Sequence, residues 1–296
     1  MFVPMKDIVD AAYAGKYGVP AVPSNDEVQI RAAIQAAVES RSPLIFLTNN
    51  RKDPHFTHYM IKRFADEVDV PVASCLDHSR TFEDCVLGVS SGCSAIMADR
   101  STLPYEENVA DVLRLAQIAH AVGVSIEAEL GHVGQGDNYA VDGVSALTDP
   151  EEAKRFIADT GVDCLAVAVG TAHGAYVGTP KIDFERLKEI DAACQHPLVL
   201  HGGSGSGEDN IHRCCELGVA KVNVVNDVMR LTLEGLKNTD LSGNKAYGLY
   251  AAINDITVNI VKHLFEVTGS VGKAASCCCG SKASASEGNP FDSTKE

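Results

Sequence analysis

The sequence predicts an α/β fold, a single (β/α)8 TIM barrel with an N-terminal helix and a C-terminal helical extension. Three observations predict it. Eight short runs rich in Val, Ile, Leu and Ala alternate with segments of helical rhythm, as parallel strands joined by helical crossovers do. A chain of 296 residues is the usual size for such a barrel. Polar residues collect where the apolar runs stop, whereas the opposite ends show Pro, Gly and Val. In this fold the chemistry sits at the carboxyl ends of the strands.

Met5–Ala14 is the first helix, closed by Gly15 and Gly18. Val19–Pro23 is the first strand, and Ser24 and Asn25 cap a helix over Asp26–Ser40, whose Val28, Ile30, Ala33, Ile34, Ala37 and Val38 recur at helical spacing. Pro43–Thr48 is the second strand. Pro54–Val68 is a helix with Phe56, Tyr59, Met60 and Phe64 expected inward. Val70–Leu76 is the third strand, and Thr81 opens a helix with Glu83 and Asp84 in its first turn, where the helix dipole favours acids. Ala95–Ala98 and Val124–Leu130 are strands four and five, separated by a helix over Pro104–Ala121 that Gly123 stops.

Gly131–Ala146 is a long, Gly-rich polar segment of the kind that forms a lid or binding loop. Asp149 and Pro150 then supply a cap and a first-turn proline for the helix over Glu151–Thr160. Cys164–Val169, Leu198–Leu200 and Val219–Val225 complete the strands. Asp183–Cys194, Glu208–Leu217, Asp227–Lys237 and Asn244–Thr268 complete the helices. Residues 1–269 are read as the barrel and 270–296 as a disordered tail rich in Ser, Ala and Cys.

A formal charge of −15 argues against nucleic-acid and anionic-membrane partners, which want a basic face. No apolar run is long enough to span a bilayer, and the N-terminus lacks the form of a signal peptide. Ten scattered cysteines suit reduced thiols in a cytoplasmic protein. Cys277, Cys278 and Cys279 have no spaced partner and belong to the tail rather than to a metal site.

Three histidines stand at strand ends: His78 beside Asp77, His173 after strand six, and His201 after strand seven. Three neutral imidazoles at one mouth form a zinc set with an open fourth position. His55, His58, His120, His196, His212 and His263 are read as surface or helix residues, and His132 in the long loop is undecided. The run from His201 to Gly207, together with Asn223–Asp227, offers backbone amides for a phosphate at the fold's usual anion site. A metal beside a phosphate grip suits chemistry at a carbonyl near a phosphate ester. Asp77 is placed to carry protons there, or else to form a structural salt bridge.

These residues, in the motifs CLDHS, EAELG, GTAHG, LVLHGGSG and KVNV, give the chain its family resemblance. Between about Met5 and Gly269 it resembles the zinc-dependent class II ketose-bisphosphate aldolases, most closely the tagatose-bisphosphate branch. The resemblance implies that His78, His173 and His201 hold Zn2+. It implies that Asp77 exchanges the proton on the hydroxyl of the bond being broken. Asp99 and Glu129 match positions that take a second, non-essential cation in some relatives. Gly174, Gly202, Gly203, Ser204, Asn223, Val224, Val225 and Asn226 would hold dihydroxyacetone phosphate, and a homodimer or homotetramer is expected.

The chain departs from the family pattern in places. Gly134-Gln135-Gly136-Asp137-Asn138 stands where the family carries a loop glutamate, so Asp137 would take over its proton transfer with a side chain one methylene shorter. A base displaced by about 1 Å can cost on the order of 10²-fold in rate. Asn226 followed by Asp227 replaces a usual hydroxyl, Val177 stands where the fructose branch often carries a Lys, and Asn49 replaces a small residue. These changes point to a different aldehyde or a modified anionic group. A non-catalytic metal-binding homologue or partner subunit is the alternative. A zinc hydrolase ranks last, because Val19–Asn25 lacks a paired His-x-His.

Overall fold

The structure is a computed structural model and describes residues 1–131, 147–172, 174 and 180–277. Eight strands, β1 (Val19–Pro23), β2 (Leu44–Thr48), β3 (Val72–Ser79), β4 (Ala95–Ala98), β5 (Ser125–Leu130), β6 (Cys164–Val167), β7 (Leu198–Leu200) and β8 (Val219–Asn223), close into one barrel in sequence order. Every pairing is parallel, including β8 with β1. The helices are α1 (Met5–Gly15), α2 (Glu27–Ser40), α3 (Pro54–Ala65), α4 (Phe82–Ser91), α5 (Tyr105–Ala121), α6 (Pro150–Thr160), α7 (Phe184–Cys194), α8 (Glu208–Glu216), α9 (Asn226–Lys237) and α10 (Leu249–Thr268). No helix among the described residues is long and apolar enough to cross a membrane.

Local chemistry starts the helices. Asp26, Asp53, Asp149 and Asp183 each accept a first-turn amide through the side chain. Thr81 and Asp84 form a reciprocal capping box on α4. The cap of α2 is thus Asp26, one or two residues later than expected.

Strand alternation sorts the core into two layers. Outward residues such as Phe46, Leu76, Ile126 and Leu165 pack under the helices. Inward residues such as Ala21, Ile45, Ala73, Cys75, Ala95, Met97, Cys164 and Ala166 fill the barrel. Helix α1 plugs its lower end with Met5, Ile8, Val9 and Ala12, all fully buried. The same alternation carries the odd-numbered residues of β3, β4 and β5 inward, and at the upper end these are acids.

Two expectations are corrected. On α3 the buried face is Thr57, His58 and Ile61, while Phe56 and Tyr59 are exposed. Met60 and Phe64, expected inward with them, do pack half-buried against the core. The tail boundary at 269 falls too early. Ser270 is buried and accepts from Ser42 Oγ at 2.9 Å, while Gly272 and Ala274 donate to Ser40 O and Arg41 O at 2.9 Å. Residues 278–296, with Cys278 and Cys279, lie outside the described residues. The described cysteines whose side chains are placed are free thiols.

Candidate active site

Strand β3 runs past its expected end at Leu76 and carries Asp77 and His78 to the mouth. Its register against β4 breaks between Leu76 and Ser79, and His78 takes a left-handed backbone at φ 48°. Such a conformation costs a residue with a Cβ and tends to mark functional positions. It interrupts the alternation, so neighbouring residues can face one site. The His78 amide donates to Met97 Sδ at 3.3 Å, and Nδ1 lies 2.9 Å from Asp99 Oδ2. Asp99 also accepts from Ser101 Oγ at 2.8 Å. Burial raises the Asp99 carboxyl, but the bonds from His78 and Ser101 outweigh it and hold the group well below its usual range.

His201 leaves β7 fully buried. Its Nε2 is 2.9 Å from Glu127 Oε1, and its Nδ1 is 3.2 Å from Glu129 Oε2. Glu127 in turn receives Lys221 Nζ on Oε2 at 2.8 Å. All three charged groups lie in the barrel interior. Burial opposes charge on each; Lys221 and His201 outweigh it for Glu127 and keep that carboxyl low, and Glu127 does the same for Lys221 and holds it high. Glu127 and Lys221 carried no role in the sequence reading. Their signal was a charge at the middle of each of two fully buried strands.

The rings of His78 and His201 meet edge to face with centroids 4.9 Å apart. Ligand atoms of Asp77, His78 and His201 lie within 4.8 Å of one another, and so do those of His78, Asp99 and Glu129. Imidazoles and carboxylates are zinc donors, and Asp99 and Glu129 are the expected second-cation pair, so this donor set fits the ion that the sequence implies. His173 and Asp137 lie outside the described residues, as do His132, Gln135 and Val177.

Asn223, at the end of β8, donates to Asp77 Oδ1 at 3.4 Å. Its own Oδ1 is buried without a partner among the described residues. An orphaned acceptor beside a half-buried acid is a place for a ligand hydroxyl. The loops after β7 and β8 are latched together. Gly203 N donates to Asn223 O at 3.1 Å, Gly205 N donates to Asp227 Oδ2 at 2.8 Å, and Asp227 N donates to Ser204 Oγ at 3.0 Å. Val224 N is committed to Ala21 O at 3.0 Å, so it has no amide to spare for an anion. Helix α9 starts at Asn226, after Val225, which supplies no side-chain cap; Ser204 Oγ takes the Asp227 amide instead, and the Asp227 carboxylate sits in the same first turn. Gly174 is exposed with φ 90°.

Residues 3–273 match the family described as fructose-bisphosphate aldolase class-II. The chain belongs to the class II fructose-bisphosphate aldolase family. The aldolase is similar to the solved YdjI aldolase of Escherichia coli K12, at 28% identity and a TM-score of 0.82, with 93% of this chain and 100% of the other covered. A fructose-bisphosphate aldolase of Campylobacter jejuni shares the fold at 21% identity and a TM-score of 0.77, with 91% and 95% covered. The aldolase is therefore a carbon–carbon lyase whose reaction is aldol cleavage.

Among the other histidines, His58 is a helix residue, as expected. It is buried on α3, with Nε2 2.8 Å from Thr48 Oγ1 and Nδ1 2.7 Å from Ser91 Oγ.

Proposed function

We propose that the chain is a zinc-dependent aldolase that reversibly cleaves a phosphorylated ketose, of the tagatose- or fructose-1,6-bisphosphate kind, to dihydroxyacetone phosphate and an aldehyde. The observation that carries this is the convergence of Asp77, His78 and His201 donors within 4.8 Å at one mouth. His78 and His201 would hold the ion together with His173. When bound, the ion supplies a Lewis acid that draws electron density from a substrate carbonyl.

The chain's own groups do the rest. Asp77 exchanges the proton of the hydroxyl on the bond being broken, and Asn223 Nδ2 orients it. Asn223 Oδ1 is the acceptor left for a substrate hydroxyl. Ser204, Gly202, Gly174 and the first turn of α9 from Asn226 grip the phosphate, with Gly203, whose amide is committed to Asn223 O, shaping the loop, while Asp137 moves the second proton. A cytoplasmic homodimer or homotetramer completes the proposal.

The test is aldehyde release from a panel of ketose phosphates with zinc added. Turnover of at least one substrate is expected, lost in Asp77→Ala and in His78→Ala. A zinc-loaded chain inert toward the whole panel, in cleavage and in condensation, sinks the proposal.

A further inference from the structure

We propose that Glu127 and Lys221 are positioning residues that fix His201 in its Nε2–H tautomer, so that Nδ1 presents its lone pair to the ion. This rests on the zinc assignment above. All three side chains are fully buried. A neutral imidazole offers one donor and one acceptor, whereas an ammonium only donates. Lys221 Nζ occupies Glu127 Oε2 at 2.8 Å, which leaves Oε1 facing His201 Nε2 at 2.9 Å. A carboxylate oxygen there can only accept, so the ring proton is held on Nε2. The other nitrogen, Nδ1, faces the mouth acid Glu129 at 3.2 Å, so the proton on that side is the one a bound ion would displace, leaving the Nε2 proton held by Glu127. Cys164 Sγ, 3.8 Å from Glu127 Oε2, lies on the Lys221 side of the carboxylate and does not compete for Oε1.

Glu127→Gln has one amide oxygen for two donors. Lys221, which can only donate, takes that oxygen and turns the amide NH2 toward His201. The ring must then accept at Nε2 and carry its proton on Nδ1, the wrong tautomer for a ligand. Removing the ammonium as well, in Glu127→Gln/Lys221→Met, lets the amide oxygen turn back to Nε2. A merely structural role predicts two additive losses; a tautomer lock predicts rescue.

Zinc affinity is read by chelator competition, which needs no turnover. Glu127→Gln is expected to weaken zinc by about 10–100-fold, and the double variant to recover most of that loss. Imidazole nitrogen NMR of the zinc-loaded parent is expected to show His201 protonated on Nε2, and it stays decisive where Glu127→Gln does not fold. Unchanged affinity in Glu127→Gln, a double variant no tighter than the single, or an Nδ1–H signal in the parent overturns the proposal while the zinc assignment stands. A parent that binds no zinc overturns both.

Discussion

His78 Nδ1 and Asp99 Oδ2 lie 2.9 Å apart, across the join between β3 and β4. The carboxylate holds a ring that a strained backbone aims into the mouth. The ring's other nitrogen is 3.9 Å from Asp77 Oδ2, on the side where the two histidines meet. Asp99→Ala removes the support but not the ligand. Zinc affinity should fall by about 10–100-fold, and excess zinc should restore most of the activity. Chelator competition and turnover at two zinc concentrations check this; a loss that excess zinc cannot restore assigns Asp99 a role beyond His78.

Acid should weaken the fold through His58. Burial, followed by the charge of His55, lowers its pKa from 6.5 to about 4. A histidine with a depressed folded pKa binds fewer protons than its unfolded form between those values. Its contribution is therefore intact above pH 6.5 and is lost as pH falls toward 4. In His58→Phe the Thr48 and Ser91 hydroxyls keep Cys75 O and Gly88 O as acceptors. Denaturation at pH 7 and pH 5 should show the parent losing about 2 kcal/mol more than His58→Phe. Parallel pH profiles would refute it.

Much of this site was legible because strand ends are short and their periodicity is strict. Asp77, Asp99, Glu129, His201 and Asn223 each sit where an apolar run stops, and the structure gathers them at one mouth. What escaped depended on three-dimensional pairing. Glu127 and Lys221 lie far apart in sequence, so nothing local says they neutralise each other. The burial of His58 within its helix was not legible because its partners, Thr48 and Ser91, come from other elements. The inward face of α3 was misjudged because Phe56 and Tyr59 are apolar yet solvent-facing. The extension of β3 through His78 required a register break that no sequence period signals.

Arg100 is 4% exposed and ties the mouth together from behind. Its Nη1 donates to Ser79 O at 2.7 Å and Asp99 O at 3.1 Å, and its Nε pairs with Asp111. Arg100→Met keeps the bulk but takes a donor from the Asp99 and Ser79 carbonyls, of which Ser79 O keeps Asp99 N at 3.2 Å, and leaves the Asp111 carboxylate without its partner. Asp111 is partly open to water, so the cost stays at the lower end for a broken buried pair, about 3 kcal/mol. Denaturant unfolding measures it. Asp111→Asn should cost less, about 1 kcal/mol, because a hydrogen bond to Arg100 survives.

Gly203 lies where the exits of β7 and β8 touch. A Cβ there would sit 2.7 Å from Val222 Cγ1 and 2.9 Å from Asn223 O. The valine can turn, but the carbonyl is backbone and also receives Gly203 N at 3.1 Å. Gly203→Ala must therefore push β8 aside at Asn223, the residue that orients Asp77. Overpacking of this kind costs about 1–3 kcal/mol. A shift of about 1 Å at Asn223 should lower kcat/KM by roughly 10²-fold. Gly92→Ala separates the two effects. Gly92, the left-handed C-cap of α4, has φ 86° and nothing within 4 Å of a Cβ, so substitution strains the backbone by about 1–2 kcal/mol without moving the mouth. Comparable losses in melting temperature with a rate defect confined to Gly203→Ala would locate the defect in the displacement of Asn223. Equal rate losses in both variants would trace it to lower stability alone.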